Sequence, residues 1–208
     1  MCSSDLVVVG RHRGALTLVE KAHVGRLTVE GVIADDPARV QALKDVAKDD
    51  RVKALVVAIN SPGGTVVGSE NLFHQLRAVA AKKPVVAVMG TLAASGGYMT
   101  AIGADHIVAS DGTITGSIGV IMQTADLTGL LDKLGIKAEA IKSAPLKVVP
   151  SPLETLTPEG RAATQAVVMD MYDMFVGMVA ERRGLDAEDA KKLDRKSTRL
   201  NSSHGYIS

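Results

Sequence analysis

Ser95 stands in T-L-A-A-S-G-G-Y, residues 91–98, between two alanines and two glycines. Neighbours that small make poor packing material. They suit a backbone that turns sharply and presents one hydroxyl beside free N–H groups, the logic of a nucleophile elbow outside its usual G-x-S-x-G spelling. The preceding P-V-V-A-V-M, Pro84–Met89, reads as a short buried strand, and the turn at Ser95 opens a helix that runs into Met99–Ala104. Ser95 is therefore the candidate nucleophile.

A serine hydroxyl is unreactive at neutral pH unless a base takes its proton. The chain has five histidines, His12, His23, His74, His106 and His204. His74 falls in a predicted helix and His106 in the strand-like D-H-I-V-A-S, and neither has a carboxylate arrangement that singles it out. No histidine lies between His106 and His204, which argues against a Ser-His-Asp protease. A lysine can serve instead, because desolvation brings a lysine's pKa toward the working pH. Lys147 fits best among the lysines: A-P-L-K-V-V-P-S-P sets it among Leu146, Val148 and Val149, with prolines on both sides.

Two glycine-bearing stretches accompany this pair. Val52–Ile59 is a continuous apolar run, the pattern of a strand buried on both faces, and it leads into N-S-P-G-G-T, Asn60–Thr65. Gly63 and Gly64 let the backbone approach a ligand and aim N–H groups at it, as an oxyanion hole requires; a plain strand-to-helix turn uses the same residues. In T-I-T-G-S-I-G-V, Thr113–Val120, Ser117 sits between glycines, placed either to orient a catalytic group or to satisfy a turn.

I-N-S-P-G-G, L-A-A-S-G-G-Y, T-I-T-G-S-I-G-V and K-S-A-P-L-K occur in this order, and together they resemble the signal peptide peptidase A (protease IV) family of serine peptidases, within the Clp protease and crotonase superfamily. The likeness runs from about Ala22 to Leu193. It implies a Ser-Lys dyad with Ser95 as nucleophile and Lys147 as general base, Ser117 bonded to the lysine, and N–H groups near Gly63, Gly64 and Gly96 holding the oxyanion. It implies no metal or organic cofactor. The implied substrates are extended, apolar peptide segments such as released signal peptides. A homo-oligomer with active sites shared between protomers and a place at the bacterial cell envelope, with membrane attachment through an N-terminal anchor missing here, follow from the same likeness. A crotonase-type acyl-CoA hydratase or isomerase would use the same backbone oxyanion hole but has no need of Ser95 or Lys147, and no paired glutamates stand out. A non-catalytic scaffold of the same fold is the other alternative, and the presence of both dyad residues speaks against it.

The 208 residues, 46% of them hydrophobic, suffice for one globular core. A net charge of +1 gives no pull toward nucleic acid, and 2% aromatics leave no stacking platform for it. One cysteine, Cys2, excludes an internal disulfide framework and a multi-cysteine zinc site. No run approaches the roughly 20 apolar residues of a membrane span. The expected organisation is a single peptidase domain over 22–193, truncated at its C-terminus. Residues 1–6 and 195–208, the latter R-K-S-T-R-L-N-S-S-H-G-Y-I-S, read as non-native or disordered ends, with translated adaptor sequence preferred.

The elements that must position these groups alternate between strand and helix. Ala22–Ile33 reads as extended. Asp36 caps and Pro37 opens a helix with Val40, Leu43 and Ala47 on one face. The strand ending at Ile59, a helix over 67–81, the Pro84 strand and the Ser95 helix follow. His106–Ala109, Ile118–Met122 and Lys137–Lys142 are predicted strands, with a short helix over 126–134 stopped by Gly135. Thr157-Pro158-Glu159 starts a last helix whose Val168, Met171, Phe175 and Met178 share a face, ending in a solvated A-E-R-R, Ala180–Arg183. Such alternation predicts an α/β, Clp/crotonase-like fold with a largely parallel sheet.

Overall fold

The computed structural model describes residues 6–9 and 22–194. His12, His204, Cys2, residues 1–5 of the predicted non-native stretch 1–6 and all of 195–208 lie outside the described residues, while Leu6 opens a strand. The protein is α/β with a largely parallel sheet, as the alternating pattern predicts. In chain order the elements are β1 (Leu6–Val9), β2 (His23–Ile33), α1 (Pro37–Lys48), β3 (Val52–Gly64), α2 (Val66–Ala80), β4 (Val85–Ala94), α3 (Gly96–Ile102), β5 (His106–Val108), β6 (Ile114–Gly116), α4 (Thr128–Lys133), α5 (Pro158–Arg183) and α6 (Ala187–Asp194). The sheet order is β1-β2-β3-β4-β5, with β6 also on β4; β1 pairs antiparallel with β2 and every other pair is parallel.

Local chemistry explains the helix starts. The Asp36 carboxylate accepts the Arg39 N–H at 3.0 Å ahead of Pro37, and the Thr65 hydroxyl accepts the Gly68 N–H at 3.2 Å to open α2. Residues alternate in burial along the strands. Leu27, Val29, Leu55, Val57, Ile59, Val85, Ala87 and Met89 form a closed face with Leu72, Leu76 and Val79 of α2 in the same core. Side chains of that kind stabilise by about 1.5–3 kcal/mol each when fully buried. The opposite face, Ala54, Val56, Ala58 and Val86, is half-buried. The apolar run of β3 is therefore closed on one face rather than on both.

Several boundaries differ from the sequence pattern. β3 runs on through Asn60–Gly64 and β4 through Gly90–Ala94, because Ser61 pairs with Ala93 across a register shift that no apolar periodicity announces. The strand expected at Ile118–Met122 lies instead at Ile114–Gly116, where Gly116 (φ 83°) and Ser117 (φ 53°) turn the chain out of the ladder. Lys137–Lys142 is not a strand: it pairs with no strand among the described residues, and Ile141 is fully exposed. On α1 the buried face is Arg39, Leu43 and Val46 rather than Val40, Leu43 and Ala47. On α5 it is Phe175, Val176 and Val179, with Val168, Met171 and Met178 only half-buried.

The contacts divide the chain into two compact units, one comprising the stretches up to Gly119 and from Phe175 on, the other Val120–Met174. In the second unit the Leu127 N–H donates to Pro152 O at 2.9 Å, and Lys142 and Glu154 form an ion pair that closes the loop between them. A cleft of about 380 Å³ lies among Leu146, Val149, Leu156 and that pair. No helix among the described residues is long and apolar enough to cross a membrane.

Candidate active site

The parallel strands β2, β3, β4 and β6 finish side by side, with Ile33 against Gly64, Ser61 against Ala93 and Ala94 against Gly116. The carboxyl ends of parallel strands are where open α/β sheets bind ligands. Ser95 follows Ala94 at this edge and precedes the first residue of α3. Its backbone sits at φ 52°, ψ −119°, a conformation that costs a residue with a Cβ about 1–3 kcal/mol. The surroundings enforce it. The Ser95 N–H donates to Gly116 O at 2.8 Å, while its carbonyl accepts the Met99 N–H at 2.9 Å. The Ser95 side chain makes no capping bond to α3. Sharp turning at a half-buried serine is what the small residues around it predict.

The glycines are placed by what a side chain would strike. A Cβ on Gly63, at φ +107°, would lie 2.8 Å from both Gly96 N and Ser95 Cβ. One on Gly96 would come within 2.1 Å of Ser69 Oγ and 3.2 Å of Gly64 N, and one on Gly97 within 2.9 Å of Ser61 O. The N–H groups differ in their commitments. That of Gly63 donates to Ser61 Oγ at 3.1 Å. The Thr65 N–H donates to Ile33 O at 2.8 Å, so the Gly64 N–H, one residue earlier along the chain, is directed away from β2. Gly96 opens α3, and the first N–H groups of a helix have no acceptor within it. Gly64 and Gly96 thus carry the N–H groups suited to an anion beside Ser95, while Gly63 contributes the space.

Ser117 follows Gly116, the partner of Ala94, so strand register brings it to the same edge as Ser95; its side chain is exposed. Lys147 belongs to the second unit and sits on an exposed turn, its N–H donating to Ala144 O at 3.1 Å. Apolar surroundings for its side chain do not form within the unit: the Pro145–Val148 turn projects outward, leaving Leu146 and Val148 45% and 40% exposed. His106 is exposed and His74 lies 3.8 Å from Glu70 on the surface of α2. Tyr98 is buried, and that burial raises its phenol above the ordinary value, keeping it a neutral hydroxyl.

Residues 77–200 match the model of peptidase family S49. The chain belongs to peptidase family S49. The S49 match takes in Ser95, Gly96, Ser117 and Lys147, and Gly63 and Gly64 precede it. A Synechocystis sp. protein named "Putative protease slr0021" is 42% identical over 171 residues, 81% of this chain and 61% of that protein. An Enterococcus faecium protein named "Putative signal peptide peptidase SppA" is 36% identical over 184 residues, 81% of this chain and 53% of that protein. The chain thus spans between half and two-thirds of the length of these relatives. Among solved structures, a point mutant of ClpP1 from Listeria monocytogenes is similar over 80% of this chain and 77% of that chain, at 16% identity and a TM-score of 0.46.

The sequence pattern missed the polar groups that brace the backbone around Ser95. Thr100 Oγ1 donates to Gly96 O at 2.8 Å, Thr115 Oγ1 to Ala93 O at 2.8 Å and Ser69 Oγ to Thr65 O at 2.9 Å. The solvated helix end expected at Ala180–Arg183 is corrected at Arg182. Its guanidinium donates to Ile102 O and Ala104 O, both at 2.9 Å, beside Arg77 on Gly103 O at 3.2 Å. Three consecutive carbonyls at the end of α3 are thereby satisfied by two arginines, which also oppose the helix dipole. Arg182→Met keeps the aliphatic stem and removes both bonds. It should lower stability by about 1–3 kcal/mol, and a thermal melt unchanged from wild type would refute the grip.

Proposed function

We propose that the protein is a serine endopeptidase in which Ser95 attacks the peptide carbonyl and Lys147 is the general base. The observation that carries this reading is the strained Ser95 backbone at the strand–helix junction, pressed against Gly63 and flanked by the Gly64 and Gly96 N–H groups. As the Ser95 oxygen bonds to the carbonyl carbon, its proton passes to the Lys147 amine and the carbonyl oxygen takes up negative charge. The Gly64 and Gly96 N–H groups receive that charge. Lys147 then protonates the departing amine, leaving an acyl-enzyme on Ser95, and next takes a proton from the water that hydrolyses it. Ser117 holds the lysine amine.

A lysine that acts as base has to be shielded from water. Exposed Leu146 and Val148 beside exposed Lys147 support shielding by a neighbouring protomer, with active sites shared in a homo-oligomer. The substrate class is extended apolar peptide, released signal peptides foremost, at the bacterial cell envelope; the name of the Enterococcus relative, a signal peptide peptidase, supports the signal-peptide part of it. The test is cleavage of an unstructured protein by the chain and by Lys147→Ala, each checked for folding. Loss of about 100-fold or more is expected of the variant, with part of the activity returning on mixing it with Ser95→Ala. A Lys147→Ala protein as fast as wild type would remove the lysine from the mechanism.

A further inference from the structure

Ser61 is fully buried, and its hydroxyl bonds on both sides. Oγ donates to Gly31 O at 2.6 Å and accepts the Gly63 N–H at 3.1 Å. Each partner is a glycine at positive φ, Gly31 at 66° and Gly63 at 107°. Both lie at one irregularity, where the β2–β3 register shifts between Glu30, opposite Asn60, and Val32, opposite Gly63, and Ser61 itself borders a second, where the β3–β4 register shifts after Ile59. Such shifts re-aim the residues that follow them. The backbone of Ser61 is fixed too, by pairing with Ala93 and by the close approach of Gly97 to its carbonyl. One hydroxyl therefore ties the end of β2 to the turn that faces Ser95.

Resting on the Ser-Lys reading above, we propose that Ser61 is a positioning residue: by bonding Gly31 O and Gly63 N–H, it sets the path of Gly63–Gly64 and so aims the Gly64 N–H at the oxyanion. The bond to Gly63 takes that N–H out of competition and turns the next one toward the site. Ser61 touches no reacting atom. Its removal leaves the buried Gly63 N–H without its partner and releases the tie to Gly31 O, and the turn relaxes to find a new acceptor.

The experiment compares Ser61→Ala, Ser61→Cys and Thr113→Val in the full chain. Thr113 is the control, a buried hydroxyl bonded to Gly90 O at 2.9 Å in the same sheet and remote from the Gly63 turn in sequence. Losing one oxyanion donor costs about 10²–10³ in kcat, so misaiming one should cost Ser61→Ala about tenfold or more, with KM within about twofold. A peptide aldehyde, which forms a tetrahedral adduct with a serine, should lose affinity in step with kcat/KM. Ser61→Cys, keeping a weak donor and acceptor on a somewhat larger atom, should fall between wild type and alanine, and it carries the test if Ser61→Ala does not fold. Unchanged kcat in whichever of the two folds, or a kcat loss matched by Thr113→Val, would overturn the proposal. Should Ser95→Ala retain turnover, the dyad reading fails instead, a result separate from these.

Discussion

Ser95→Gly should abolish turnover and raise the melting temperature in the same protein. Loss of a serine nucleophile costs on the order of 10³–10⁶-fold in rate. The stability change has a different origin. At φ 52°, ψ −119° the Ser95 Cβ is in a region that glycine alone enters freely. Relief of that strain is worth about 1–3 kcal/mol, against which glycine's extra freedom in the unfolded chain costs about 0.5–1 kcal/mol. A net gain of about 1 kcal/mol corresponds to a melting point about 2–4 °C higher in a chain of this size. Ser95→Ala separates the two effects, since alanine loses the hydroxyl and keeps the strain: it should be equally inactive and no more stable than wild type. If the glycine variant melts below the alanine variant, strain is not stored at this turn. If either variant cleaves substrate at the wild-type rate, Ser95 is not the nucleophile.

Gly64→Ala should be severely damaging, with a closer backbone clash than Ala at Gly63, Gly68, Gly96 or Gly97. The added Cβ would lie 1.8 Å from Ile33 O and 2.5 Å from both Ile33 N and Ile33 C, all backbone atoms of the paired strand. No side-chain rotation relieves such a clash. β2 and β3 would have to part where the Thr65 N–H meets Ile33 O. A loss of about 4 kcal/mol or more is expected, at the upper end of single-residue effects, and it should appear as low soluble yield and a strongly lowered melt. Gly96→Ala offers a graded comparison. Its Cβ meets Ser69 Oγ, the end of a rotatable side chain, so Gly96→Ala with Ser69→Ala should recover part of the loss. A Gly64→Ala protein melting within two degrees or so of wild type would disprove the tight approach.

What the sequence showed and what it hid divide along one line. Signals confined to a few neighbouring residues were legible: Asp36-Pro37 and Thr157-Pro158 as helix starts, and the small-residue turn at Ser95. Features that depend on a distant partner were not. Ser61 and Ala93 extend two strands beyond their apolar runs, and neither segment has periodicity of its own. Ile118 is apolar and completely buried without belonging to a ladder, which a hydrophobicity pattern reads as strand. The residues around Lys147 say what is adjacent along the chain and nothing about what covers its side chain. Arg182 resembles any basic helix end until its acceptors, some eighty residues earlier, are seen. Family membership was legible because four short motifs each report a local backbone shape, and their order reports the topology.

The interruption of the first unit by Val120–Met174 bears on how the protein is made. A ribosome delivers Ser95 and the whole of α3 long before Arg182, yet it is this late residue that takes up the Ile102 and Ala104 carbonyls at the end of α3. The nascent chain must therefore carry α3 through the synthesis of about eighty further residues before its last carbonyls meet their arginine. Vectorial synthesis becomes a timer: an incomplete polypeptide already holds the Ser95 turn and its partners Met99 and Gly116, while the far end of the helix behind it stays open until the last turn of α5 emerges.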